Sequence, residues 1–156
     1  TLVHQNMQKV GGVVYNDEEK KFAEKIAETL GEQKQDINNA AKIKNFTDAS
    51  ESATSGGSTD VGDVSWVVPT VGLGTATWVP GSSAHSWQST AASGMSIGQK
   101  GMIVAAKTLA ITALDLMNDQ ATIDKAKAEW LEKRGGADFK YEALLGDRKP
   151  ALDYRK

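Results

Sequence analysis

The sequence predicts an α/β domain. Three observations lead there: amphipathic helical patterns at both ends, two short runs of β-formers between residues 64 and 79, and one strongly apolar helix after Ser96. The chain has 156 residues, enough for one domain with a hydrophobic core. It carries 40% hydrophobic and 24% charged residues, the balance of an ordinary globular protein.

Leu2, Val3, Met7 and Val10 recur at roughly helical spacing until Gly11-Gly12 interrupts them, so the first element is a short helix. Asn16 and Glu19 have the spacing of a capping box. The helix they open places Phe22, Ala23, Ile26, Ala27 and Leu30 on one face, with Gly31 as its natural end. Periodicity then fades. Residues 36–57 read as an irregular loop, with room for one helical turn near Ala40 to Ile43, and Ser55 to Thr59 is rich in Gly and Ser.

Val64 to Val71 reads as a buried strand ending near Pro69, and Thr75 to Val79 as a second strand closed by the Pro80-Gly81 turn. Ser96 and Gln99 are spaced to cap the next helix, where Gly98 and Gly101 permit close backbone approach. Apolar residues surround most of that helix to Met117, which predicts burial on nearly all sides. A last helix runs from Gln120 to about Arg134, with Ile123, Ala126, Trp130 and Leu131 as its inner face. Gly135-Gly136 ends it, and Phe139, Tyr141, Leu144, Leu145 and Leu152 are the anchors of a polar tail. A helix apolar all round with two short strands makes a poor closed core, so further layers are expected from elsewhere.

Composition excludes several chemistries. The net charge of -2 offers no electrostatic footprint for nucleic acid. The run from Met102 to Met117 is interrupted by Lys107, Thr108, Thr112 and Asp115, so no membrane span is expected. No cysteine is present, which removes disulfides and thiolate chemistry and fits a cytoplasmic protein. Phosphate-loop, dinucleotide and nucleophile-elbow signatures are absent. The opening at Thr1, in helical sequence and without an initiator Met, suggests a processed product, an expressed segment or part of a longer polypeptide.

Two segments can carry chemistry. Gly57-Ser58-Thr59-Asp60-Val61-Gly62-Asp63 concentrates glycines, hydroxyls and two carboxylates ahead of an apolar run. Such a loop suits an oxyanion, and it equally suits a turn with Asx-type hydrogen bonds. His85 lies in a loop beside Trp87, where an imidazole can ligate a metal or serve only structure. His4, on a helix among Gln and Asn, reads as exposed. A catalytic zinc site draws about three protein ligands, and two histidines with no cysteine cannot readily supply them.

The joint pattern Ser58-Thr59-Asp60-Val61-Gly62-Asp63-Val64-Ser65-Trp66 and Ala84-His85-Ser86-Trp87 resembles the M-twenty metallopeptidase and amidohydrolase family, in its p-aminobenzoyl-glutamate hydrolase-like branch. The resemblance spans most of the chain and is weakest from Asp36 to Ala53. It implies that residues 1–156 form the C-terminal segment of an α/β zinc-peptidase-like catalytic domain, following an inserted dimerisation domain. It implies one or two zinc ions, replaceable by manganese or cobalt, with His85 as the last metal ligand. The general base and the other ligands would come from the N-terminal half of the same catalytic domain. Gly57, Ser58, Thr59, Asp60 and Asp63 would border the substrate or stand behind the metal ligands. The implied reaction is hydrolysis of an amide in an N-acyl amino acid such as an aroyl-glutamate, by a homodimer, with this segment inactive alone. A noncatalytic binding or assembly module is the alternative.

Overall fold

The computed structural model describes residues 1–47, 59–143 and 145–152. Gly57, Ser58 and Leu144 lie outside them. Six α-helices form among the described residues: α1 (Leu2–Val10), α2 (Asp17–Glu28), α3 (Val61–Val67), α4 (Trp87–Ser93), α5 (Ser96–Asn118) and α6 (Gln120–Lys133). Two 3-10 turns, Gly31–Gln33 and Ile37–Ala41, follow α2. No strand occurs among the described residues, so the expected α/β class is corrected to all-helical.

Both predicted strands fail for one reason. A strand satisfies its backbone only by pairing with another, whereas a helix satisfies its own. Much of the Val64 to Val71 run therefore coils into α3, whose described residues include no buried side chain. Thr75 to Val79 joins no ladder among the described residues: Thr77 N donates to Thr75 O (2.9 Å), the chain bends at Trp78, and only Val79 is fully buried.

The chain divides into two compact units. The first, Thr1–Ala53 with Val71–Asn118, holds α1, α2, α4, α5 and the hydrophobic core. Val13, Tyr15, Ala23, Ile26, Ala27, Val79, Ala92 and Ile97 pack there. The capping box at α2 forms as expected: Asn16 Oδ1 accepts from Glu19 N (2.8 Å), and Glu19 Oε2 accepts from Asn16 N (2.7 Å). Gly98 and Gly101 permit the close approach expected of them. A Cβ on Gly101 would sit 2.7 Å from Ala76 O, and one on Gly98 would meet the Ser93 backbone.

Two expectations about α5 need correction. Ser96 is already inside the helix, and its hydroxyl donates to Glu19 Oε1 (2.6 Å) instead of capping. The helix is not enclosed: its buried residues are Ile97, Gly98, Gly101, Thr108 and Thr112, while Met102, Ile103, Leu109, Leu114 and Met117 are exposed. One side docks on α1 and α4, and the apolar residues of the other stay open to solvent. The polar interruptions are also too few to exclude a span, since the helix is long and apolar enough to cross a membrane. One such helix is weak evidence for a membrane.

The second unit, Thr54–Thr70 with Asp119–Lys156, holds α3 and α6. The inner face expected on α6 buries nothing fully. Aromatic contacts join this unit instead. Trp66 stacks on Phe139 with ring centres 4.9 Å apart, Arg134 lies 4.4 Å over Trp130, and Trp130 Nε1 donates to Ser65 O (2.8 Å). Gly135 and Gly136 end α6 with φ of 95° and 100°, where residues with a Cβ are strained.

Candidate functional site

His85 lies in a tight turn before α4, exposed to solvent, as the loop reading anticipates. Its φ of 57° makes it the only non-glycine residue in the left-handed region among the described residues. Histidine tolerates that region better than most residues, but the conformation still costs energy. The flanking turn holds it. Ser86 Oγ accepts from Ser89 N (3.2 Å) to cap α4 and donates to Ser83 O (2.7 Å). Ser83 Oγ in turn donates to Gln33 Oε1 (2.8 Å). Below the turn, Ser89 and Ala92 of α4 are buried, and Trp78 Nε1 donates to Ser93 Oγ (2.8 Å). The helix α4 escapes sequence reading because it is short and mostly Ser, Thr and Ala. Ser86 and Ser89 are its available signal.

The other candidates belong to the second unit. Thr59 Oγ1 accepts from Val61 N (3.3 Å), so Thr59 serves the start of α3. Asp60 is exposed and its carbonyl accepts from Asp63 N (3.1 Å). Asp63 accepts a hydrogen bond from Tyr141 Oη, which holds the Tyr141 phenol above its ordinary pKa. These are turn and tail contacts. Among the described residues, no group of three His, Asp or Glu side chains could hold a metal. An exposed imidazole can supply one ligand, so the donor set of the described residues does not make a zinc site.

Two features escape the sequence reading. The first is a clamp at Glu19, whose side chain is 2% exposed. Besides Asn16 N and Ser96, its carboxylate binds Lys100 Nζ (2.5 Å), which also donates to Val14 O (2.9 Å). Burial opposes its charge, but hydrogen bonds from Lys100, Ser96 and Asn16 outweigh burial and lower its pKa. Beside it, burial and then the Glu19 charge push the Tyr15 phenol up to about 12. The second feature is a cleft of about 960 Å³ in the first unit. Residues 42–47 and 71–83 line it, together with His4 and Val13. His4 is half-buried, edge-on to Phe46 with ring centres 6.1 Å apart, which corrects its exposed reading.

No protein-family model matches this chain, and no solved structure does. The chain is 39% identical over 72 residues to one subunit of the p-aminobenzoyl-glutamate hydrolase of Escherichia coli (strain K12). The match covers 46% of this chain and 15% of that protein. The chain is therefore loosely related to a hydrolase component.

Proposed function

We propose that this chain contributes to metal-dependent hydrolysis of an amide in an aroyl-glutamate or similar N-acyl amino acid. The partial identity with a p-aminobenzoyl-glutamate hydrolase component carries this reading. The turn at His85 supports it, because a left-handed histidine braced by Ser83 and Ser86 presents its imidazole to solvent. Strain of that kind persists where surrounding contacts over-determine it, often at functional positions.

His85 is one metal ligand in this proposal, and the other ligands and the general base come from polypeptide outside the described residues. The metal is zinc, with manganese or cobalt as substitutes. When bound, it supplies polarisation of the amide carbonyl and activation of water. The role of the chain is then to hold one imidazole at a fixed point over a packed base. Asp60 and Asp63 act in loop structure.

The test uses the native protein or complex that carries this sequence. Zinc-dependent cleavage of p-aminobenzoyl-glutamate is expected, with His85→Asn lowering rate and bound metal together. Asn accepts the left-handed backbone, so the substitution removes the imidazole and spares the turn. Full rate and metal content in His85→Asn would sink the assignment. No cleavage with zinc, manganese or cobalt would sink the proposed reaction.

A further inference from the structure

The cleft of the first unit has two walls whose main chain is largely unpaired among the described residues. Between Val71 and Val79, the only internal backbone hydrogen bond among the described residues is Thr77 N to Thr75 O (2.9 Å). From Ile43 to Thr47 there is no backbone–backbone hydrogen bond among the described residues. Gly72 and Gly74 have open space where a Cβ would stand, so their main chain is uncovered. Unpaired amides and carbonyls along a channel must bind water or another chain. An extended segment with alternating side chains is the partner that can bond to such walls in series.

Charge narrows the partner. Lys42, Lys44 and His4 line the cleft, and no described lining residue is a carboxylate. Lys42 Nζ is held by Asn39 Oδ1 (2.8 Å), which places one cation at the wall. The Lys44 ammonium has no partner among the described residues. Val13, Leu73 and Phe46 supply apolar lining between these groups.

We infer that the cleft captures an extended, acidic segment of a partner polypeptide through main-chain hydrogen bonds, with Lys42 and Lys44 reading its carboxylates. The inference uses neither His85 nor a metal, so it stands or falls apart from the proposed hydrolysis.

The test is amide hydrogen exchange of the whole chain with a synthetic ten-residue peptide alternating glutamate with threonine and valine. Slowed exchange is expected at Gly72, Gly74 and Trp78 and from Ile43 to Phe46. The same peptide N-methylated at alternate amides should lose this protection while keeping its charge. Lys44→Gln should weaken binding by roughly tenfold, with helix content unchanged by circular dichroism. Should that variant unfold, added salt weakening wild-type binding gives the same information. Unchanged exchange with the peptide overturns the inference. So does equal protection by the N-methylated peptide, or by N-acetylglutamate at the same concentration, which would mark a small-anion site.

Discussion

The two units contain similar kinds of residue and use them differently. In the first, Ile97, Val79, Ala23 and Ala92 are almost completely buried, and polar groups such as Asn6 and Glu19 are buried with partners. In the second, Val61, Val64, Val67 and Ile123 stay exposed, and neither α3 nor α6 buries a residue fully. Apolar content therefore does not make a core. The first unit has small residues at its crossings: Gly12 meets the Ala40–Ala41 backbone, and Gly101 meets Ala76. The second relies on a stacked aromatic set and a few hydrogen bonds.

This contrast can be broken experimentally, beginning with the largest effect. Ile97→Ala should cost about 2–5 kcal/mol by emptying the centre of the first unit, measured by denaturant unfolding. A loss below about 1 kcal/mol would mean that the site collapses freely.

Glu19→Gln should cost about 1–3 kcal/mol, because Lys100 would lose its ionic partner at a buried site. Glu19 has a lowered pKa when folded, so its contribution is present above the ordinary carboxylate range. It is lost as pH falls through the lower folded value. Acid unfolding of the variant should lack that component, and identical acid profiles would refute it.

Trp66→Ala should cost about 1 kcal/mol, confined to the second unit, and change the near-ultraviolet dichroism of the stack. Loss of exchange protection in α2 or α5 would show instead that the units melt together.

The smallest stability change is expected at Tyr15. Its buried hydroxyl has no hydrogen-bond partner among the described residues, so Tyr15→Phe should be neutral or slightly stabilising. The folded phenol titrates near 12 and the unfolded one near 10, so the wild type loses stability as pH rises across that interval. The Phe variant should lose less in the same interval. A matching alkaline melting curve would argue against this.

Several local features are legible in the sequence. The α2 capping box, the glycine stops after α1 and α6 and the close approaches at Gly98 and Gly101 depend on neighbours in the chain or on the missing side chain itself. The Val64 to Val71 run misleads because β-formers report what packs on a surface, and no paired surface is present among the described residues. The clamp is half legible: spacing shows that Glu19 caps α2, but not that Lys100, 81 residues away, reaches it. His85 can be singled out by residue type and loop position, while its left-handed backbone cannot.

The sequence by itself determined where α2 starts and where α1 and α6 stop, because caps and glycine conformations act within a few residues. It also determined which chemistries are absent, because without cysteine no thiolate can form. Only the tertiary structure decided which apolar residues are buried, which carboxylate is clamped and which main chain is left unpaired. Those outcomes depend on contacts between residues far apart in the chain, and neither composition nor periodicity specifies such contacts.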